Sequence, residues 1–587
     1  MLFSELAKEF DKLEQTGSRL EMTVILSGLF LKLDPEELRE VVYLCQGKLH
    51  PDFYPIELGM ADKLVLKAIT STSGASDKVA DKLMRETGDP GKVAESLITG
   101  KKQMTLFSEP LTLERVLKNL LLIEGSEGRD SQDKKSKYLA QLLHDSSSIE
   151  ARYLCRIVTG RMRVGAGSMT VLDALALSYA GKEDRPEIER AFNITCDMGL
   201  VAKNLAEGGI DAVKEMRVTV GNPIKVMLAE RLPSISQVIE RMNGRCAMEY
   251  KYDGMRIQAH IGKDSVKLYS RRLEDLTSNF PDVAESLRQQ CRSEEAIIEG
   301  ECVAVDGKTG EMLPFQTVTH RRKKHGMKEA VKEFPVKIFM FDILYTDGID
   351  MTLYPYLERR ERLKECFDLE GQIDMTTMEI VTSPEEGETF FNQALSARCE
   401  GIMAKSLYQE SIYRAGSRGF LWIKYKKDYE EALTDTFDLT VVGAFFGKGK
   451  RAGKYGALLM AAFDDESGEF CTVCKLGTGF DDAFLSEIPT ILDRYISEER
   501  PSTVDAEMIP DVWFQPTTVL EVVAAEISIS PIHTAAKGMA STDAGLGLRF
   551  PRYTGRLRSD KGPEQCTTVN EIFEMYELQD KKDTHLE

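Results

Sequence analysis

The segment Glu249-Tyr250-Lys251-Tyr252-Asp253-Gly254-Met255-Arg256 sets a lysine between carboxylates just before an Asp-Gly turn. In a strand, Glu249 and Lys251 project from one face, so an amine and a carboxylate enter the same space. A surface salt bridge is the ordinary fate of such a lysine. Further along, Ile297-Ile298-Glu299-Gly300-Glu301-Cys302-Val303-Ala304-Val305 holds two glutamates at i,i+2 inside an apolar run. Buried carboxylates are costly unless they meet cations or a metal. The alternative is an edge strand with one wet face. Glu400 leads into the apolar Gly401–Lys405, and Lys424 and Lys426 share one face of Trp422–Lys427. Lysines, arginines and carboxylates recurring on strand faces suit a polyphosphate with a divalent cation. No GxxxxGK[ST] loop and no GxGxxG ahead of a helix is present, so neither a P-loop nor a dinucleotide-binding crossover accounts for them.

The elements that must position these groups fall into three regions. Up to about residue 220, apolar residues recur every three to four positions, predicting helices over Ser4–Gln15, Leu113–Ile123, Ile149–Thr159 and Val171–Tyr179. The polar Glu124–Lys137 reads as a loop between helices. The run Gly160 to Thr170, with Arg161, Arg163 and three glycines, suits either a phosphate contact at a helix start or an interhelix turn capped by Ser168 or Thr170. From Gly221 the pattern turns to strands at Ala247–Lys251, Val266–Ser270, Ala296–Val305, Val336–Tyr345 and Gly401–Lys405, with a helix at Pro355–Phe367, an α+β domain ending near Lys427. After the acidic Asp428–Asp435, short strands at Leu439–Phe446, Ala457–Phe463, Phe470–Leu476 and Val519–Ile529 fit a small OB-fold barrel, and Thr568–Tyr576 returns to helix.

The 587 residues allow three or four domains, and a 42% hydrophobic fraction rules out disorder of the whole chain. No apolar run approaches the roughly 18–20 residues that cross a bilayer, and the acidic N-terminal helix does not read as a secretory signal. Eleven cysteines cannot all pair and are expected as thiols in a cytosol. Cys471 and Cys474 have CxxC spacing without further ligands, which suits opposite faces of a strand better than zinc. The net charge of −19 leaves nucleic acid possible wherever cations cluster. Such clusters occur at Arg321-Arg322-Lys323-Lys324, between His320 and His325, and at Lys448, Lys450, Arg451 and Lys454. Both are expected to meet phosphates.

Lys251-Tyr252-Asp253-Gly254 resembles the KxDG motif of covalent nucleotidyltransferases, and the later motifs follow in order. Ser270-Arg271-Arg272, Glu299-Gly300-Glu301, Phe339–Tyr345, Glu400–Lys405 and Trp422–Lys427 resemble the second to the next-to-last. Arg549-Phe550-Pro551-Arg552 with Arg558-Ser559-Asp560-Lys561 resembles the last. With the helical first region and Arg163–Gly167, the likeness spans essentially the whole chain. The family it resembles is the ATP-dependent DNA ligases of the archaeal and eukaryotic replicative type. Val226 stands where that family's proline is expected. The resemblance implies an all-α DNA-binding domain over 1–220, an adenylation domain over 221–427 and an OB-fold domain with a C-terminal helix over 428–587. Capping-type or RNA-joining nucleotidyltransferases and a non-catalytic nick-binding protein are the competing readings. The large helical domain speaks against the former, and the presence of Lys251, Glu301 and Glu400 against the latter.

The resemblance also implies roles. Lys251 would attack ATP to give lysyl-AMP, and AMP would pass to a 5′-phosphate at a nick in duplex DNA before the 3′-hydroxyl displaces it. Burial and the cations Lys424 and Lys426 would favour the neutral amine. Glu249 would meet the adenine edge and Phe341 would stack on the ring. Arg256, Arg271 and Arg418 would bind phosphates or ribose, and Lys424 and Lys426 the α-phosphate. Glu301 and Glu400 would lie around Mg²⁺ or the ribose. Arg558, Asp560 and Lys561 would close over ATP and orient pyrophosphate, on a hinge near Lys427–Glu430. Lys102–Phe107 resembles a clamp-binding sequence, in which Gln103, Leu106 and Phe107 would plug a pocket on PCNA. A monomer acting in replication, repair and recombination, in a prokaryotic cytoplasm at the nucleoid, is expected.

Overall fold

The computed structural model describes the chain except residues 17, 55–57, 100–108, 129, 233, 322–326, 427–435, 448–453 and 585–587. The clamp-like motif, the hinge and acidic bridge, Arg322–Lys324 with His325, and Lys448, Lys450 and Arg451 therefore lie outside the described residues. Two compact units are present, one of 1–82 with 89–427, the other of 83–88 with 428–587.

The first part of the larger unit is helical as the periodicity predicts, with helices at Phe3–Gln15, Leu113–Glu124, Ser148–Val158 and Ser168–Tyr179 among them. Their starts follow local chemistry. Asp34 caps the helix opening at Pro35, and Ser147 with Glu150 forms a capping box. The expected loop over Glu124–Lys137 is only half loop, since Ser131–Asp145 is a helix. Its first two turns are almost wholly polar, which hid the stripe of Ser136, Leu139, Leu142 and Leu143 that it buries. In the Gly160–Thr170 run, Gly167 rather than Ser168 or Thr170 occupies the capping position. Arg161 and Arg163 there pair with Asp62 and Asp89.

The rest of the larger unit carries β1 (Leu228–Arg231), β2 (Cys246–Lys251), β3 (Met255–Ile261), β4 (Val266–Ser270), β5 (Ala296–Ala304), β6 (Val336–Thr346), β7 (Ile349–Asp350), β8 (Ile373–Met375), β9 (Met378–Val381), β10 (Gly401–Lys405) and β11 (Arg418–Lys426). One sheet runs β1-β11-β10-β2-β9, and a second runs β4-β3-β5-β6-β7 with β8 beside β6. β5 is central, flanked by β3 and β6, so the edge-strand reading of Glu299 and Glu301 does not hold. The helix Tyr356–Cys366 is tied to both sheets. Fully buried Arg359 makes a two-pronged pair with Asp342 of β6, at 2.7 and 2.9 Å, while Arg360 on the next position pairs with Glu249 of β2. Arg321, expected at a phosphate, is instead fully buried and grips Asp282 at 2.7 and 3.0 Å.

The smaller unit begins with an antiparallel meander, Phe437–Phe446, Tyr455–Asp464 and Glu469–Leu476, followed by the helix Asp482–Leu492. The expected single strand Val519–Ile529 is two. Val519–Val523 pairs with the first meander strand, and Glu526–Ser530 pairs with Gly545–Arg549 in a separate sheet. Cys471 and Cys474 do not face apart. A bulge between Met460/Ala461 shifts the alternation, and both thiols join one core with Val473 and Leu476. All eleven cysteines are free, and no helix among the described residues is long and apolar enough to cross a membrane.

Candidate active site

Three neighbouring strands build the floor of a cavity of about 490 Å³. Because β2, β10 and β11 are in register, their alternate residues form rows. Lys251, Gly401 and Lys426 make the first row, Glu249, Met403 and Lys424 the second, and Ala247, Lys405 and Trp422 the third. The middle of the first row must be glycine. Gly401 has φ of +148°, and a Cβ there would collide with the Tyr425 carbonyl. The gap lets Glu400, one residue earlier, place its carboxylate on both Lys251 and Lys426. The other face of the sheet packs on helices, Tyr250 against Phe390 and Phe391 against Tyr425.

The second sheet supplies the opposite wall. Arg256 on β3 stands across from Glu301 on β5. Phe341 occupies the bulge that β6 makes opposite Glu299/Gly300, and so joins the cavity lining rather than the ladder's regular alternation. Its ring meets Trp422 edge-on at 6.2 Å, and the Arg256 guanidinium lies 5.1 Å from its centre. Gly254 of the Asp-Gly turn packs against β5, where a Cβ would come 2.5 Å from the Cys302 carbonyl.

The cavity thus gathers Lys251, Glu249, Arg256, Arg271, Glu301, Phe341, Glu400, Arg418, Lys424 and Lys426, all of the expected nucleotide-site residues of the larger unit. It also takes in Ser270, Arg272, Glu274, Lys405 and Trp422, to which the sequence reading assigned no role. Eight cationic side chains face four carboxylates, in a chain whose net charge is −19. Arg271, Arg418 and Lys424 make no ion pair among the described residues. Two buried donors in the lining, Arg256 Nε and Trp422 Nε1, have no hydrogen-bond partner among the described residues. Such donors suit a ligand rich in acceptors.

Electrostatics divide the site. Burial lowers the Lys424 ammonium from its ordinary value, and repulsion from Lys426, Lys251, Arg418 and Arg271 adds to it. Lys251 faces more than the expected cations, because the Glu400 carboxylate pairs with it directly. Burial works to raise the Glu400 carboxyl, but Lys251 and Lys426 outweigh it and hold it at about 2. Burial pushes Glu301 up to about 7, with Glu400 and Asp253 adding repulsion. Asp253 is pushed up to about 6, by burial and then by Glu400.

These three carboxyls are an oxygen-only set, two of them carrying the cost of burial, which fits a hard divalent cation. Among the described residues no three acidic, His or Cys side chains are spaced to enclose a metal alone. That suits Mg²⁺, which takes one or two carboxylates and leaves its other positions to water and phosphate oxygens.

Arg558, Asp560 and Lys561 form a separate cluster on the smaller unit. Arg558 bonds both oxygens of Asp438, at 2.8 and 2.7 Å, and also Asp560, and Lys561 meets Asp438 at 2.6 Å. Asp438 stands opposite Glu521 across two strands, so both acids flank the arginine.

Three family models match in order along the chain: DNA ligase N terminus over 2–176, ATP dependent DNA ligase domain over 226–426, and ATP dependent DNA ligase C terminal region over 451–561. The chain is 47% identical over 589 residues to DNA ligase 2 of Thermofilum pendens, covering 99% of this chain and 98% of that one. It is 44% identical over 594 residues to the DNA ligase of Hyperthermus butylicus, with the same coverage. Among solved structures, "Pmar-Lig_Pre." aligns with a TM-score of 0.55 at 15% identity, over 94% of this chain and 99% of that one, a likeness of fold.

Proposed function

The chain belongs to the ATP-dependent DNA ligases, and from that premise we propose that Lys251 is its nucleophile and that the cavity around it is where ATP is cut. The observation that carries this is the first row, where Lys251 sits beside Glu400 and Lys426 in a cavity with an excess of cations. As ATP enters, its phosphates compete with the Glu400 carboxylate for Lys426 and meet Lys424, Arg271 and Arg418, which carry no ion pair among the described residues. Glu400 holds Lys251 in place, and the proton that Lys251 must lose leaves to solvent, since a carboxyl held at about 2 is too weak a base to keep it. The free Nζ electron pair then forms a bond to the α-phosphorus while the α–β anhydride bond breaks and pyrophosphate leaves with that bond's electrons, giving lysyl-AMP. Glu301 and Glu400, with Asp253 beside them, would hold Mg²⁺, which neutralises phosphate charge when bound. Phe341 offers its face to the base, Glu249 its carboxylate to the base edge, and Arg256 its unpartnered Nε to ribose or phosphate.

Arg558 and Lys561 would meet pyrophosphate in this first step, exchanging the carboxylates of Asp438 and Glu521 for phosphate, while Asp560 orients Arg558. The adenylyl group then passes to the 5′-phosphate of a nick, and the 3′-hydroxyl displaces AMP to seal the strand. The helical region, with its Arg161–Gly167 turn, would hold the duplex, and binding would weaken with salt as phosphate contacts do. Gln103, Leu106 and Phe107 would dock on a sliding clamp, and the enzyme would work as a monomer at the nucleoid. The test is incubation with α-phosphate-labelled ATP and Mg²⁺, followed by a denaturing gel. The native chain should carry label and Lys251→Ala should not, a loss on the order of 10⁴-fold or more. No label from ATP, GTP or NAD would sink the proposal.

A further inference from the structure

Glu249 lies in the second row of the cavity floor, two residues from Lys251 on the same face, a step of roughly 7 Å along the strand. An unassisted carboxylate in that place would be free to turn, to take up a proton or to hold water. This one is 2% exposed and is gripped from three sides. Oε1 accepts from the Tyr356 hydroxyl at 2.5 Å and from Arg360 Nη1 at 2.6 Å, and Oε2 meets Lys405 Nζ at 2.7 Å.

Tyr356 and Arg360 are four apart on one helix and so reach the same spot from one face. Each gripping residue is itself fixed. Arg360 also bonds Thr376, through its hydroxyl at 3.0 Å and its carbonyl at 2.6 Å. Lys405 donates to the Phe341 carbonyl at 3.2 Å and packs over the rings of Trp422, Tyr356 and Phe341.

A carboxylate has about four acceptor positions. Two on Oε1 and one on Oε2 are taken, which leaves one, on Oε2, in a residue that lines the cavity. Paired with two cations it offers no donor of its own. We propose that Tyr356, Arg360 and Lys405 act as a clamp that turns Glu249 into a fixed, acceptor-only reader of the base, and that this clamp sets the preference for a purine with an exocyclic amine at its six position. Adenine presents a donor there and guanine a carbonyl. These three are positioning residues, since they act through Glu249, and the inference rests on the cavity being the nucleotide site.

The experiment compares adduct formation from ATP, from GTP and from purine riboside triphosphate, which has hydrogen in place of the amine, in the native enzyme, Tyr356→Phe and Arg360→Lys. The native enzyme should favour ATP over the amine-free analogue by about a hundredfold or more in kcat/KM, because the buried acceptor is left unpaired. Tyr356→Phe removes one hydroxyl and no charge, and it should shrink that ratio about tenfold, the worth of one hydrogen bond to a charged group. Arg360→Lys keeps the charge but loses the fork, and it should narrow the ratio less than Tyr356→Phe does. A purely structural role predicts equal losses for both nucleotides. An unchanged ratio in both variants, with ATP still used by the native enzyme, would overturn the clamp and leave the ligase reading standing. A native enzyme that takes label from none of the three would overturn both.

Discussion

The molecule carries two cationic clusters fit for phosphate, and they keep their charge in opposite ways. In the cavity, Lys251 and Lys426 share the single carboxylate of Glu400, and Lys424, Arg271 and Arg418 have none among the described residues. On the smaller unit, Arg558 and Lys561 are matched by Asp438, Asp560 and Glu521. The first cluster is short of acid, so an ammonium there is lowered and an incoming polyphosphate fills a deficit. The second is saturated, and phosphate must displace a carboxylate to enter. A site that performs chemistry on an amine needs the first arrangement. A site that assists for part of a cycle and then lets go is better served by the second, because the internal acid competes with retention.

The contrast is broken most sharply at Glu400. Glu400→Gln removes the carboxylate that Lys251 and Lys426 share and leaves both lysines unbalanced. Adduct formation at saturating ATP should slow by a hundred- to a thousandfold, through lost positioning of Lys251 and Lys426. Quenched time courses on denaturing gels would show it, and a change within about threefold would remove Glu400 from the first step. The matched cluster should respond more mildly and more selectively. Arg558→Ala is expected to slow adduct formation by about 10- to 100-fold, the cost of one charge-assisted contact to phosphate. It should leave the sealing of a pre-adenylylated nick nearly as fast as in the native chain. Equal losses in both assays would mean that Arg558 serves the stability of the smaller unit instead.

Much of the cavity was legible from spacing alone, because strand alternation fixes which side chains share a face whatever surrounds them. Glu249 with Lys251 and Lys424 with Lys426 follow from period two. What spacing does not carry is which strands become neighbours. The rows that set Gly401 between Lys251 and Lys426 depend on a pairing of segments some 150 residues apart. Arg360 and Tyr356 are visible as a helical i,i+4 pair, but nothing in their spacing points them at Glu249. Bulges defeat alternation outright. Phe341 could be placed by its motif but not by period, and Cys471 and Cys474 face one core because one extra residue sits between them. Arg321 shows the opposite failure. A run of basic residues reads as one exposed patch, yet its first member is wholly buried on Asp282.

The smallest effect concerns the acids of the cavity and has a defined sign. Burial raises the Glu301 carboxyl from 4.5 to about 7, so between those values the folded chain binds a proton that the unfolded chain has released. Stability from this group is therefore full below about pH 4.5 and falls as pH rises toward 7. Glu301→Gln keeps the shape without the charge, and it should be about 2–3 kcal/mol more stable than the native chain at pH 8 and no more stable at pH 4.5. The chain has two tryptophans, Trp422 in the cavity wall and Trp513 in the smaller unit, so denaturant unfolding in a Trp513→Phe background reports on the larger unit alone. Mg²⁺ with ATP should narrow the difference at pH 8, since a cation at Glu301 offsets the cost of its buried charge. A native chain whose larger unit is equally stable at pH 5 and 8 would mean that Glu301 is already neutralised by Lys251 and Arg256. The cavity would then be closer to the balance of the cluster around Arg558, and the contrast between the two would reduce to Lys424, Arg271 and Arg418.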